Sequence, residues 1–299
     1  MELSLEEKFN LEVDPVAVES ALNKIKDIAK SRIGDVEILK KCFSIIDLTT
    51  LNSTDGYEKG KQFADNVSKF PSDFPGMPNV AAICVYPTLV PAVRENLTAE
   101  NVKIASVAAG FPASQTYIDI KLSECEMALE QGADEIDVVI SVGAFLEGDY
   151  FTVFSELQQI KEVAGDSHVK VILETGVLPT LSDIKLASFL AMEAGADFIK
   201  TSTGKLEPAA TPEAVYVMCL AIKEYYEKTG KKVGMKPAGG VSNSNDALFF
   251  YTIVEQILGQ EWLYPGLFRF GTSKLADILL SDILGKEVKY FSQSSTAKY

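Results

Sequence analysis

The chain has 299 residues, of which 47% are hydrophobic and 23% charged, a composition typical of a globular protein long enough to bury a large core. Its 28 Lys and Arg against 42 Asp and Glu give a formal net charge of −14, which disfavours binding to nucleic acid phosphates. The acidic N-terminus and the absence of a long apolar run lead us to expect neither a signal peptide nor a membrane span.

The cysteine and histidine content narrows the chemistry further. Four cysteines are scattered without a CxxC pair, which predicts free buried thiols in a reducing cytoplasm. The only histidine, His168, directly precedes an apolar run, and we expect it at the surface or in a loop. A zinc aldolase or zinc hydrolase usually needs two or three histidine ligands, so we expect no metal site of that kind.

Short apolar runs, eight in all, are typical of buried parallel strands, and amphipathic helical stretches separate most of them. Two such stretches cover residues 118–131 and 181–194, the second with Ser182 as its expected N-cap. This alternation predicts an α/β protein with a (β/α)8 TIM barrel. The competing doubly wound sheet usually has a glycine-rich loop after its first strand, where this chain has DLTTLNSTDG. The eight predicted strands lie within residues 42–50, 80–87, 102–110, 135–142, 169–176, 198–204, 232–240 and 267–273.

The flanking segments complete a single-domain organisation. Residues 1–41 have a helical pattern, and we expect an extra N-terminal helix that covers the bottom of the barrel. Residues 42–286 form the barrel itself. Residues 287–299 are polar, which predicts a flexible C-terminal tail.

A short internal repeat places two charged residues at equivalent positions. The segments MALEQGADEID (127–137) and LAMEAGADFIK (190–200) share a helix end, a glycine cap and the start of a strand, and they end in Asp137 and Lys200. As strands 4 and 6, they contribute to the same interior layer of a barrel. Strand alternation directs both side chains inward, together with Lys236 of the strand 7 segment KVGMKPAGG.

Two lysines and an aspartate inside an apolar barrel favour nucleophilic catalysis by an amine. Lysine is rarely buried without a partner, and the alternative is a buried Lys–Asp ion pair with a spare lysine at the rim. If Lys236 keeps its charge, this charge and desolvation both lower the pKa of Lys200. The neutral amine can then attack a carbonyl and form an iminium. Asp137, acting through a water molecule, would shuttle the protons.

Three loops predict an anionic substrate. The segments TSTGK (201–205), AGGVSNS (238–244) and GTSK (271–274) follow strands 6, 7 and 8, and their small residues expose backbone amides. Lys205 adds a positive charge. Barrel enzymes often bind phosphate with the loops after strands 7 and 8, so we expect a small phosphorylated substrate.

From DLTTLN (47–52) to RFGTS (269–273), the chain resembles the deoxyribose-phosphate aldolases, and the pair FIKTSTGK and KPAGG is the most specific part of this resemblance. The resemblance implies cleavage of 2-deoxy-D-ribose 5-phosphate to D-glyceraldehyde 3-phosphate and acetaldehyde in deoxyribonucleoside catabolism. It implies no metal or organic cofactor, no nucleic acid or membrane partner, a cytoplasmic location and, as in many members, a homodimer. Lys200 matches the Schiff-base lysine, Lys236 the lysine that perturbs it, and Asp137 the proton relay.

The resemblance also implies further site residues. Tyr299 matches a terminal tyrosine that reaches over the site in many members and helps to move a proton at the donor carbon. Lys274 stands where a second small hydroxyl residue is common. The substrate pocket and phosphate site are implied to include Asp47, Thr49, Cys84, Thr201, Gly204, Lys205, Gly239, Gly240 and Ser273.

Two alternatives stay open at this point. One is a different Schiff-base lyase or a transaldolase on the same barrel, which would not need KPAGG beside FIKTSTGK. The other is a binding or scaffold protein without catalysis, against which the joint presence of Asp137, Lys200 and Lys236 argues.

Overall fold

Eight parallel strands form a closed barrel in the computed structural model, which describes residues 5–292. The strands follow one another around the barrel in chain order, and the bridges Met235–Phe268 and Ala238–Gly271 join β7 to β8. The predicted (β/α)8 fold is therefore confirmed. The strands are β1 (Ile46–Thr49), β2 (Ala82–Val85), β3 (Lys103–Ala108), β4 (Glu135–Val139), β5 (His168–Ile172), β6 (Phe198–Lys200), β7 (Gly234–Lys236) and β8 (Phe270–Thr272).

Helices surround the barrel and alternate with the strands. Seven of the predicted strands contain an observed one, and β5 begins one residue before its predicted range; the two predicted helices agree with α6 and α9 to within a residue at each end. The N-cap of α9 is Thr180 rather than Ser182, because Thr180 and Asp183 form a reciprocal capping box. The helices are α1 (Leu5–Lys8), α2 (Pro15–Lys30), α3 (Val36–Ser44), α4 (Tyr57–Asp73), α5 (Val90–Asn96), α6 (Ile118–Glu130), α7 (Val142–Leu146), α8 (Tyr150–Ala164), α9 (Leu181–Glu193), α10 (Pro212–Thr229), α11 (Ser244–Leu258) and α12 (Leu275–Leu284), with 3-10 turns at Pro87–Leu89, Thr175–Val177 and Gln260–Trp262.

Because side chains alternate along each strand, they pack in two separate places: between the strands and the helices, and inside the barrel. Outward residues such as Ile136 and Val138 belong to the large apolar cluster between the strands and the helices. Inward residues fill the barrel itself, where Phe198 lies beside Gly234. A Cβ at Gly234 would stand 2.3 Å from the Phe198 ring, so only glycine lets this ring occupy the space next to β7.

The N-terminal segment contains three helices in place of the single expected one. Helix α2 packs on α10 and α11 of the outer helical ring. Helix α3 occupies the start of the first predicted strand, because the Asp35 carboxylate caps it by accepting from the backbone N–H groups of Glu37 and Ile38. Strand β1 therefore begins at Ile46, four residues later than the apolar run suggests.

The C-terminal segment turns back along α12 after this helix ends. The backbone N–H of Val288 donates to Ser281 Oγ at 2.8 Å, and the three N–H groups of residues 290–292 donate to the Asp277 carboxylate at 2.9–3.0 Å. Phe291 is only 3% exposed. Residues 288–292 are therefore held in place, in contrast to the flexible tail expected from residue 287, because Asp277 and an aromatic cluster anchor them.

Two further expectations concern Tyr299 and a membrane-spanning helix. Tyr299 falls outside the described residues. Within residues 5–292, no helix combines the length and the apolar character needed to cross a bilayer.

Candidate active site inside the barrel

Charged side chains fill the centre of the barrel, where each is at most 3% exposed. They comprise four cations and three carboxylates, so this charge core has one excess positive charge if every group is ionised. Loss of one proton from one amine would balance it. The charge core consists of Asp47, Glu135, Asp137, Lys170, Lys200, Lys236 and Arg269.

Asp137 is the centre of the charge core. Its Oδ2 accepts hydrogen bonds from Lys200 Nζ at 2.7 Å and from Lys236 Nζ at 2.6 Å, and its Oδ1 accepts from Lys170 Nζ at 3.1 Å. Burial alone would raise the pKa of this carboxyl, but the three lysines lower it well below its usual value. Asp137 is therefore held as an anion between three amines.

Lys200 and Lys236 lie side by side, as the sequence predicts, but their pKa values move in opposite directions. Their Cα atoms are partners in the β6–β7 register. Burial lowers the pKa of Lys200; Asp137 opposes this, and the charge of Lys236 adds to the lowering. Burial also lowers the pKa of Lys236, but Asp137 and Asp47 together outweigh it and raise the net value. The difference arises because Lys236 contacts two carboxylates and Lys200 only one.

The sequence patterns considered above did not predict the deeper layer of the charge core, which consists of Glu135, Lys170 and Arg269. Lys170 bonds Glu135 at 2.7 Å, and Arg269 donates to Asp47 at 2.6 Å and to Glu135 at 2.9 Å. His168 adds a half-exposed imidazole, whose Nδ1 lies 3.5 Å from Glu135. A signal for these residues existed, because Lys170 and Arg269 each stand alone between apolar neighbours in a strand segment.

The substrate pocket implied by the sequence includes Asp47, Thr49 and Cys84. Asp47 has no exposed surface and belongs to the charge core, where Lys236 and Arg269 bind it. Thr49 turns its hydroxyl back to donate to the carbonyl of Asp47 at 2.8 Å. Cys84 is buried beside this core, and burial, followed by the Asp137 charge, raises the pKa of its thiol.

An apolar cluster stands next to the charge core at the ends of β1–β3. Its buried members are Leu51, Cys84, Ala105 and Val107, and the rings of Tyr86 and Phe111 pack against them. Lys200 is only 3% exposed at this position. The amine therefore faces little water, which strengthens every charge effect on it.

The expected phosphate residues meet where β6, β7 and β8 end. Thr201 Oγ1 accepts from the backbone N–H of Ala238 at 3.0 Å and so links the loops after β6 and β7. Gly239 and Gly240 both have φ of +66°, and a Cβ at Gly240 would stand 2.5 Å from the carbonyl oxygen of Ala210. Only glycine fits this turn, which keeps the backbone close to the loop after β6.

The remaining loop residues are more open. Gly204, Lys205, Ser273 and Lys274 are exposed. Ser273 and Lys274 directly precede α12, and the backbone N–H groups of Lys274 and Leu275 donate to Thr272 Oγ1 at 3.3 and 3.2 Å. Exposed backbone groups beside a helix start provide partial positive charge for an anion.

The described residues contain no cluster of three or more His, Cys, Asp or Glu side chains able to hold a metal ion. The four cysteines are free and buried. Of the cysteines, Cys84 lies beside the charge core, and the imidazole of His168 lies next to Glu135 at its edge.

Comparison with known proteins decides the family. A family model described as DeoC/LacD family aldolase matches residues 42–271, well over half of the chain. The chain belongs to this aldolase family. The matched region of the aldolase includes the whole charge core and the loops after β6 and β7, whereas Ser273, Lys274 and the C-terminal segment lie beyond it.

Relatives and a solved structure agree with this membership. The deoxyribose-phosphate aldolase of Homo sapiens is 42% identical over 255 residues, which covers 82% of this aldolase and 79% of the human protein. The enzyme of that name from Mus musculus is 42% identical over 256 residues, with the same coverage. A tetrameric deoxyribose phosphate aldolase from Aeropyrum pernix has a TM-score of 0.65 and 27% identity, covering 86% of this aldolase and 96% of that chain.

Proposed function

We propose that this aldolase is a deoxyribose-phosphate aldolase that cleaves 2-deoxy-D-ribose 5-phosphate through a Schiff base on Lys200. The names of its human and murine relatives support the substrate. The observation that carries the mechanism is a buried amine with a lowered pKa that shares one carboxylate oxygen with a second, protonated lysine.

The first step needs a neutral amine. Each unit by which the pKa of Lys200 falls increases its neutral fraction about tenfold at pH values below the pKa. Its lone pair attacks the C1 aldehyde of the open-chain sugar and forms a carbinolamine. Protonation and loss of the hydroxyl as water then give the iminium. The positive charge of Lys236 disfavours protonation of the neighbouring Lys200 amine. Lys236 itself stays protonated and does not react.

The second step breaks the C2–C3 bond. A base removes the proton of the C3 hydroxyl, C3 becomes the aldehyde of glyceraldehyde 3-phosphate, and the electrons of the broken bond flow into the iminium to form an enamine. Asp137 is the carboxylate within hydrogen-bond distance of Lys200, and we assign the proton relay to it, acting through a water molecule. Protonation of the enamine at C2 and hydrolysis release acetaldehyde.

The exposed loops would bind the 5-phosphate. Backbone N–H groups at Gly204, Gly240 and Ser273 provide donors, and Lys205 provides charge. Gly239 shapes the turn between them, because its own N–H donates to the carbonyl of Gly271 at 3.2 Å. This set is open to solvent at the end of the barrel, while the reacting amine lies deeper. Such an arrangement suits a short sugar phosphate whose aldehyde enters first. In the same proposal Thr201 orders the loop, and Thr49 and Cys84 border the sugar.

Three further parts of the proposal concern the cell and the assembly. We propose a cytoplasmic enzyme of deoxyribonucleoside catabolism, with Tyr299 assisting proton transfer at the donor carbon.

We also propose a homodimer. An exposed apolar stripe along α6, formed by Tyr117, Ile120 and Met127, offers a contact surface. Sedimentation of the full chain at increasing concentration would test self-association, and a constant monomer mass would reject it.

Trapping with acetaldehyde and borohydride tests the proposed chemistry. We expect reductive N-ethylation of Lys200, located by peptide mass. Lys170 and Lys236 are matched internal controls, because both are buried and bonded to Asp137 but have raised pKa values. An adduct on either control, or no adduct at all, would exclude the mechanism. Cleavage of 2-deoxyribose 5-phosphate in the absence of trapping agent tests the substrate separately.

A further inference from the structure

Glu174 is a buried carboxylate that the proposed mechanism does not use. It lies two residues after the end of β5, is 3% exposed and has φ of +53°, in the left-handed region that non-glycine residues rarely adopt. The two described hydrogen bonds to its carboxylate both come from uncharged groups of Thr203. A strained backbone and a buried charge at the rim of an active site indicate a defined task.

Both oxygens of Glu174 hold one residue of the loop after β6. Thr203 donates its backbone N–H to Oε1 at 3.1 Å and its hydroxyl to Oε2 at 2.6 Å. The same Thr203 hydroxyl oxygen accepts the backbone N–H of Lys205 at 3.0 Å. One carboxylate thus determines the course of the chain from Thr203 to Lys205.

The side chain of Lys205 extends from this loop across the mouth of the barrel. Lys205 Nζ donates a hydrogen bond to the backbone carbonyl of Leu51, in the loop after β1. Leu51 belongs to the apolar cluster beside Lys200. The ammonium of Lys205 is therefore fixed at its backbone through Thr203 and at its tip through Leu51.

We propose that Glu174 is a positioning residue that sets the Lys205 ammonium and the backbone amide of Gly204 for the substrate phosphate, while the amides of Thr203 and Lys205 hold the loop itself in place. This inference rests on the proposed function. When phosphate binds, the Lys205 ammonium exchanges the neutral carbonyl of Leu51 for an anion, while the Glu174–Thr203 bonds keep its backbone in place. The loop is then ordered before binding, and less conformational entropy is lost with the substrate.

A carboxylate is required here because both of its oxygens accept. In a Glu174→Gln variant the amide has the same shape but only one acceptor oxygen, so one of the two Thr203 donors loses its partner. We expect KM for 2-deoxyribose 5-phosphate to rise about tenfold, the effect of one lost hydrogen bond to a charged group, with kcat within about twofold. KM for unphosphorylated 2-deoxyribose should stay unchanged.

Two more variants separate positioning from folding. Thr203→Val removes the hydroxyl between Glu174 and Lys205, and we expect the same phosphate-selective rise in KM, with no further rise in the double variant. Thr175→Val is the matched control, because the Thr175 hydroxyl is buried next in sequence but has no hydrogen-bond partner within residues 5–292. It should leave both KM values unchanged.

The outcomes distinguish this inference from the proposed function. If the unmodified enzyme neither cleaves the sugar phosphate nor traps acetaldehyde, the proposed function fails. If it does both, but Glu174→Gln and Thr203→Val reduce kcat/KM equally for phosphorylated and unphosphorylated sugars, or change neither, Glu174 does not position the phosphate loop. Should Glu174→Gln fail to fold, the Thr203→Val result alone decides.

Discussion

Replacing Lys236 by methionine removes the cation that lowers the pKa of Lys200. Both Nζ atoms bind Asp137 Oδ2, at 2.7 and 2.6 Å, so their separation is no larger than about 5 Å. At that distance and an effective dielectric constant of about 20, the repulsion between two unit charges is about 3 kcal/mol, or roughly 2 pKa units. Lys236→Met should therefore raise the pKa of Lys200 by about that amount.

The pH profile of kcat/KM measures this shift. We expect its acidic limb to move about 2 units towards higher pH, which lowers kcat/KM about 100-fold at neutral pH and restores much of it in alkaline buffer. Lys170→Met is the matched control, because this lysine bonds the other oxygen of Asp137 and should move the limb less. An unmoved limb with a reduced plateau in a folded Lys236→Met protein would refute the electrostatic role.

Four further predictions follow from the charge core and the C-terminal segment. Lys200→Met should abolish the acetaldehyde adduct yet raise the free energy of unfolding by about 1.4 kcal/mol for each unit by which its pKa is lowered. Because the unfolded amine titrates near pH 10.4, this gain is complete below the folded pKa and should vanish as the pH rises to about 10, as denaturation across this range would show. Asp137→Asn should cost about 3–5 kcal/mol in urea denaturation at neutral pH, since three buried cations lose one carboxylate. The pKa of Asp137 is lowered in the folded state, so its contribution is present above about pH 4 and is lost as the pH falls through the lowered value; an equal difference at all acidic pH values would contradict this. Asp277→Ala frees three backbone N–H groups and should accelerate amide exchange at residues 290–292, with a loss of about 2 kcal/mol. Deletion of Tyr299 should slow proton exchange at the donor carbon without preventing the Lys200 adduct, and unchanged exchange would mean that this residue is idle.

The interior direction of the charged residues could be predicted because a strand has a period of two. Asp137, Lys200 and Lys236 each alternate with apolar residues that pack under the helices, and the register pairs Lys200 with Lys236. The same rule applies to Lys170 and Arg269, which the sequence analysis did not follow through. The inward direction of Lys170 and Arg269 is therefore predictable from the sequence in the same way.

Other features depended on contacts between distant residues. Glu174 lies at a strand end with a left-handed backbone, and its only described side-chain partner is Thr203, 29 positions later. Residues 288–292 mix polar and apolar side chains without a repeat, and they are held by Asp277 and by packing of Phe291 on Phe43 and Phe70. Neither arrangement leaves a periodic trace in the sequence.

Local patterns along the chain therefore predict the number of strands, their helices and which side chains face the axis, because hydrophobic periodicity and capping involve only residues that are near one another in sequence. Which amine loses its proton most easily is instead a property of the folded barrel. That outcome depends on how many carboxylates contact each lysine, two for Lys236 and one for Lys200, and on the closure of the barrel around them. The electrostatic energy of a buried group depends on its distance from the other charges. Those distances are set only when all eight strands have assembled into the barrel.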